Sequence, residues 1–470
     1  MGTISSAFSL ISQALDADQS GLSIVANNVA NANTTGYTEE KPNWQENQLI
    51  EINGVSYGTG VTETGPTSVR DRVLEERLNQ QQQLASASGT RLTALDTLQA
   101  LFTPASGSSS STAGNIGTDM TSFFSSFSSL EADPTNNADR QAVLSAAKTL
   151  AGDVSNAAAS LNSQQSALDQ EASAVPSQVN ALTTSIAQLN LEIQSSSPNG
   201  DAGTLEDQRQ QDISQLSQLI GVNQVTTENN GISITTTSGQ LLVSEGTSVP
   251  LTTGTVNGVT DFFVGTTDVT SQLTTGGGSL GGYLTARDND IPSVLGSLDQ
   301  LAYSVSTQVN QLNNAGTDLA GDNSNAGDIF SEPTQVAGSA AEMSVVMTDP
   351  DHIAAAGSGK GTGDNTNATA MAALAKQTIV DGQTPINYYS NLVTTLGATV
   401  SGVETENTAE TASVTQLQTQ NSALSSVNLN DEASAMTTLE RSYQAASQVF
   451  TMLNTIMASA LNLGEQATVS

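Results

Sequence analysis

"NNVANANTTGY", residues 27–37, ends an apolar helical pattern with four asparagines and a Thr-Thr-Gly-Tyr. Asn is a weak helix former and a good cap or turn residue, and Gly admits backbone that other residues avoid. The stretch therefore reads as a corner, with Asn28, Asn31, Asn33, Gly36 and Tyr37 as its working residues. Upstream, Ile4, Phe8, Ile11, Leu15, Asp18, Leu22, Val25 and Val29 recur at spacings of four and three, a seam for packing on other helices with one acid placed on it. The far end repeats the design with Met436, Leu439, Tyr443, Ala446, Phe450, Leu453, Met457 and Ala460. Neither helix can bury its stripe alone, so the two are expected to pair with each other or with neighbouring subunits.

Composition narrows the function classes. Of 470 residues only 12% are charged, about half the usual share. The charge is lopsided, 46 acidic against 12 basic side chains, for a formal net charge of -34. Such a chain repels nucleic-acid phosphates and anionic membranes, and neither is expected as a partner. There is no cysteine, which excludes disulfides and thiolate chemistry. No run of 18 apolar residues occurs, and "MGTISSAFSLISQALDADQSG" lacks the basic flank and apolar stretch of a signal peptide. Passage out of the cytoplasm is expected to need a route without a cleaved signal.

Between the ends the pattern changes twice. After the corner, alternation around Ile50, Ile52, Val55 and Tyr57 predicts a hairpin. Helical periodicity runs from about Val69 to Leu101 and fades into the Ser-rich "TPASGSSSSTAGN". Met120, Phe123, Phe124, Phe127 and Leu130 make a compact apolar face. The longest pattern extends from Ala147 to Ile193, about 70 Å of helix at about 1.5 Å per residue, with a kink or break expected at Pro176. Residues 221–285 alternate Val/Ile/Thr/Phe runs with Gly and Asn turns, which predicts strands. Helix returns at "IPSVLGSLDQLAYSVSTQVNQLNNAG" and again from Tyr389 through Leu396, Val403, Glu410 and Leu417 to Leu424.

The expected fold is mainly α with a β-rich middle. It is an elongated helical rod with paired N- and C-terminal coiled-coil-like helices and an outer body of long helices plus short strands. The expected division is 1–36 and 430–470 as the terminal-helix domain, 37–68 as linker and hairpin, 69–220 as long-helix rod and 221–290 as β-rich region. Then follow 291–388 as helix and mixed connection and 389–429 as the returning helix of the rod.

No stretch carries a complete catalytic constellation. "AAAGSGKGTGDN", residues 354–365, imitates a phosphate-binding loop through Gly359 and Lys360, but its leading glycine is replaced by Ala354 and "DPDHI" rather than a buried strand precedes it. It reads as a solvated loop. His352, the single histidine, cannot form a two-histidine metal site, and it reads as a loop residue beside Asp349 and Asp351. The acids of "DEAS", 431–434, suit the first turn of a helix, and "LEDQRQQD", 205–212, reads as a solvated or intersubunit face. No catalytic residue, cofactor or metal site is expected.

The corner also carries a resemblance. "GLSIVANNVANANTTGYTEE" resembles the N-terminal signature of bacterial flagellar axial proteins, with Val29 for the usual isoleucine and Thr35 for the usual proline. "VNLNDEASAMTTLERSYQAASQVFTMLNTIMASALNL" resembles their C-terminal signature, with Glu440 for the usual glutamine. The interior blocks "VRDRVLEERLNQQ", "IAQLNLEIQ", "LEDQRQQDISQLSQLIGV", "SGQLLVSEG", "GGYLTARDNDIPSVLGSLDQLAYSVSTQVNQLNNAGTDLAG" and "DIF" look like the hook-associated protein 1 family, with Gln210 and Gln211 extra to its usual Asp-Gln-Arg-Asp run.

The resemblance implies a structural subunit that joins hook to filament and is needed for filament assembly, its terminal helices packed into an inner tube beside those of neighbouring copies. It further implies the hook protein and the second junction protein as neighbours, and an export chaperone near the C-terminus. Export would be through the flagellar type III apparatus, without signal cleavage, to an extracellular site. The large outer domain of many members is expected to be absent or vestigial. The alternative is another axial component, a hook protein or a flagellin-like filament subunit.

Overall fold

The computed structural model describes residues 2–52, 55–103, 115–196, 201–256, 258–320 and 327–467. Helix α1 (Gly2–Asn31) leads through the corner into strands β1 (Glu40–Glu46), β2 (Ile50–Ile52), β3 (Val55–Tyr57) and β4 (Val61–Ser68). Four helices follow: α2 (Arg72–Phe102), α3 (Ile116–Ala132), α4 (Asn137–Ser196) and α5 (Thr204–Leu219). Seven short strands come next: β5 (Val222–Thr226), β6 (Ile232–Thr236), β7 (Leu241–Ser244), β8 (Thr247–Ser248), β9 (Leu251–Val256), β10 (Val259–Val264) and β11 (Thr267–Asp268). The chain then forms α6 (Thr270–Gly276), α7 (Gly278–Thr285), α8 (Ile291–Ala315), α9 (Ser339–Glu342), α10 (Thr366–Ala373), α11 (Pro385–Ser425) and α12 (Leu429–Ala467). The fold is mainly helical and elongated, with long helices at both ends and short antiparallel strands in the middle.

Every sheet is local. β1 pairs with β4 and β2 with β3, the second pair in the register Ile50↔Tyr57 that the alternation predicts. β5-β6-β7-β8 and β9-β10-β11 are antiparallel meanders. The Ser-rich loop expected at 103–115 falls almost wholly outside the described residues.

Two hydrophobic cores share one spine, α4. In the larger core, α3 presents Met120, Phe123, Phe124, Phe127 and Leu130 to Val143, Leu144, Leu150 and Val154 of α4, with α8, α10 and the first half of α11 closing around them. Segment 327–380 supplies Ile329, Phe330, Met343, Ile353 and Met371 to the same core. In the smaller core, Ala172, Val175, Val179 and Ile186 of α4 meet α5 and strands β5–β10. A helix of 60 residues spans about 90 Å at about 1.5 Å per residue, and no single core could bury it.

Two expectations about α4 need correction. It begins at Asn137 rather than near Ala147, because Asn136 accepts a hydrogen bond from the Ala138 amide (2.9 Å) and starts the helix ten residues earlier. The added turns place Arg140, only 1% exposed, on the core face, where its guanidinium donates to the carbonyls of Pro134 and Ile353. A buried arginine hides the periodicity at that point. Pro176 does not break the helix. It deprives the Ala172 carbonyl of its usual donor, but Val175 and Val179 on either side are packed in the smaller core, which holds the backbone in register.

The junction of the two cores is polar. Between α7 and α8 the backbone widens into a π turn, Ala286–Asp290. Arg287, buried there, donates to Asp169 on α4 (2.5 Å), to the Thr260 carbonyl on β10 (2.8 Å) and to Asp288 (2.7 Å). Asp290 takes a two-pronged bond from Arg91 on α2, both at 2.8 Å. The larger core is tightest at Phe123, whose ring lies 5.3 Å from that of Phe127 and 5.4 Å from that of Phe330. Phe123→Ala is expected to destabilise the body by about 3–5 kcal/mol, read as a lower denaturant midpoint with the helix content kept below it.

Candidate functional site

The terminal helices pair with each other. The Phe8 and Phe450 rings meet edge to face at 5.2 Å, and Gly21 faces Leu439 and Trp44. Of the predicted seam, Val25 and Leu439 are buried, while Ile4, Phe8, Ile11, Leu15, Leu22, Met436, Phe450, Leu453 and Met457 are half-buried. Val29 and Tyr443 are exposed, so these two do not contribute to the intrachain seam. A second stripe, missed in the sequence, lies on the outward face of α12: Val449 (41% exposed), Met452 (61%) and Ile456 (53%). Its spacing of three and four is legible in hindsight, but it competes with the stronger Leu439–Phe450–Met457 pattern beside it.

The corner closes on Asn28. This side chain is 1% exposed and uses all four of its hydrogen-bonding positions. Its Nδ2 donates to the Glu40 carbonyl (2.8 Å) and to Glu432 Oε1 on α12 (2.9 Å). Its Oδ1 accepts from the Tyr37 hydroxyl (2.8 Å) and the Glu40 amide (3.1 Å). One residue thus ties together α1, the corner, β1 and α12. The expectation that asparagines mainly cap the helix end holds for Asn31, whose Oδ1 accepts from Thr34 Oγ1 and whose carbonyl accepts from the Thr34 amide. Asn33 is exposed. Gly36 has φ +81, and a Cβ there would meet the Gln211 amide nitrogen at 2.1 Å, so the turn accepts no side chain.

The body side of the joint comes from the segment read as a solvated or intersubunit face. That reading is corrected: in "LEDQRQQD" Glu206, Asp207 and Arg209 are buried within the chain. Asp207 accepts from the Thr38 amide (3.0 Å), the Thr38 hydroxyl (2.7 Å) and the Arg70 guanidinium. Arg72 reaches Glu206 at 3.2 Å, and Gln211 donates to the Thr35 carbonyl. Arg209 donates to Asn190 Oδ1 (2.9 Å) and the Asn230 carbonyl (2.6 Å), and burial lowers its pKa to about 10. The Glu39 amide, bonded to the Ser425 carbonyl (2.8 Å), fastens the corner to the end of α11. Burial raises the Glu40, Asp207 and Glu432 carboxyls and the Tyr37 phenol above their ordinary values.

The two catalytic look-alikes have structural partners. In the glycine loop the Gly357 amide donates to Asp364 (2.8 Å) and the Gly359 amide to the Thr317 hydroxyl (3.1 Å), so amides that would cradle a phosphate serve the loop itself. His352 Nδ1 faces Asp318 at 3.0 Å, not Asp349 or Asp351 as expected. Among the described residues no group of three His, Cys, Asp or Glu side chains could hold a metal. No described helix is long and apolar enough to cross a membrane.

A scaffold with its two ends brought together on a long helical body, and a joint of hydrogen bonds in place of a reactive cleft, is the architecture of a flagellar axial structural protein. The flagellar hook-associated protein FlgK helical domain matches residues 106–330, and the flagella basal body rod protein family matches residues 12–38. Flagellar hook-associated protein 1 of Bacillus subtilis (strain 168) is 25% identical, over 96% of this chain and 96% of its own. Its counterpart in Salmonella typhimurium is 24% identical over 96% and 98%. In fold, the flagellar hook junction protein FlgK from Burkholderia pseudomallei is similar with a TM-score of 0.64 at 19% identity, over 73% of this chain and 99% of that one. The chain belongs to the flagellar hook-associated protein 1 family, whose role is structural and not enzymatic.

Asn28→Ala leaves Glu432 and the Glu40 amide buried without their partner, a loss on the order of 1–3 kcal/mol for each such group. Limited proteolysis within residues 31–38 is expected to speed up at least about tenfold, while the unfolding midpoint of the body stays within about 1 °C.

Proposed function

We propose that this protein is the structural subunit that connects hook to filament and is needed for filament assembly. The observation that supports this most directly is the α1–α12 pair with an open apolar stripe, Val449–Met452–Ile456, on its outward face. In a chain of net charge -34, residues 2–15 and 442–464 contain no charged side chain at all. Copies that repel through their bodies meet least repulsion at this end. An inner tube of such helix pairs, built from neighbouring copies, buries the stripe. Of the seam residues, Tyr443 and Val29, exposed within one chain, fit contacts between copies.

Hook protein on one side and the second junction protein on the other are the neighbours that this role requires. Export unfolded through the flagellar type III apparatus without signal cleavage, with a chaperone holding the C-terminal segment, fits an apolar stripe that needs shielding before assembly. The domains follow the same logic: 1–36 with 430–470 for the tube, 37–68 as linker, the rest as outer body without a large added domain. A hook protein or flagellin-like subunit is the second reading, favoured only by the fact that the corner and terminal helices serve axial proteins in general.

Phe450→Asp places a carboxylate against Phe8 and is expected to leave the body folded yet prevent incorporation at the hook tip. Such cells should release filament subunits into the medium and swim poorly; normal filaments on them would exclude the C-terminal helix from the joint. The glycine loop is expected to be silent in this role. Lys360→Ala should leave assembly and swimming unchanged, and calorimetric titration of the wild type with Mg-ATP should show no saturable heat.

A further inference from the structure

The joint between the terminal helices and the body buries more acid than base. Glu40, Glu75, Glu206, Asp207 and Glu432 are each less than a tenth exposed. Against them stand the buried guanidiniums of Arg70 and Arg209 and the half-exposed Arg72. Glu206 and Asp207 take the best of these cations, at Arg72 and Arg70. Glu75, in the first turn of α2, is left with Arg70 Nε at 3.9 Å, too far for a hydrogen bond, and that Nε has no hydrogen-bond partner at all. Glu75 lines a cavity of about 170 Å³ with Arg70, Arg72, Glu76, Glu206 and Arg209; the facing strands contribute only uncharged Gln224, Thr226 and Ile232.

We propose that this joint is a proton-tightened latch, in which uptake of a proton at Glu75 holds the terminal helix pair against the body more firmly in mild acid than in mild alkali. An ionised Glu75 is a buried carboxylate with one loose ion pair, beside the negative charges of Glu206 and Asp207. Burial, opposed by Arg70 and Arg72 and aided by Asp207 and Glu206, raises its pKa from 4.5 to about 7. Glu40, Asp207 and Glu432 shift in the same direction, burial being the largest cause for each. A carboxyl that titrates higher when folded takes up a proton on closing, so the closed joint is favoured below about pH 4.5 and loses that advantage as pH rises through about 7. Asp201, held below its ordinary value by Ser68 and Gly203, acts oppositely, but only beneath that window. Glu75 sits where α2, α5 and the corner converge, so its proton is read out as attachment of the ends. The latch is a property of the single chain and does not depend on where the protein is built in.

The test is amide exchange at Thr38, Glu39, Glu40 and Val69, whose N–H groups all donate across the joint. With intrinsic rates removed, protection in the full-length protein is expected to be about tenfold higher at about pH 5.5 than at about pH 8, as for a one-unit shift felt at one carboxyl. Val154 and Ala157, deep in the larger core, should change by less than about threefold. In Glu75→Gln the ratio at the joint should fall below about threefold, with the slow exchange of the acid form present at both pH values. A wild-type ratio below about threefold overturns the latch, as does a Glu75→Gln ratio that stays above it. If that variant does not fold, the wild-type pair of measurements decides alone.

Discussion

Asn28 has two donors and two acceptors, and its surroundings use all of them while excluding water. The geometry is over-determined, because the four bonds come from three different residues, one of them 404 positions away. Only an amide meets these demands. An aspartate could not donate, and an aliphatic residue would orphan the Glu40 backbone. Once Asn28 is placed, the position of α12 against α1, the direction of the corner and the start of β1 follow together. The apolar seam supplies affinity between the helices, and Asn28 supplies their register.

The same division of labour recurs along the body. Apolar faces on α3, α4, α8 and α11 hold each core together, but they leave the cores free to turn about the long spine. Arg287 and Arg91, bonded to Asp169, Asp288 and Asp290, remove that freedom at the π turn. Buried arginine between fixed carboxylates and carbonyls is directional where hydrophobic contact is not. An elongated body keeps one shape only if its cores are fixed against each other, and the structure places its closest ion pairs there and at the terminal joint.

The charge-poor composition fits this arrangement. With so few charged side chains, most of those that are buried form named partnerships, and the rest of the surface is rich in Ser, Thr, Asn and Gln. Many Ser and Thr hydroxyls on helices return to the carbonyl four residues back, as at Thr121, Thr394 and Thr451. Such bonds satisfy the hydroxyl locally and leave helix surfaces neutral. Neutral helical faces pack side by side without the repulsion that a uniformly acidic surface would impose.

Sequence alone determined the helices with uninterrupted apolar periodicity, α1, α3, α8, α11 and α12, the hairpin at Ile50–Tyr57 and the strand-rich middle, because each follows from spacing within a short window. It also marked the corner, since Asn and Gly at the end of a stripe have a local meaning. What it could not supply were the roles of polar residues whose partners lie far along the chain. Arg140 hid the true start of α4, Asp207 and Arg209 looked like a solvated face, and Asn28 looked like one of four similar asparagines. A polar side chain carries no periodic signal that says whether it meets water or a buried partner. Only the tertiary structure, by bringing residues 28, 40, 207 and 432 into one dry volume, decided that these groups hold the ends to the body.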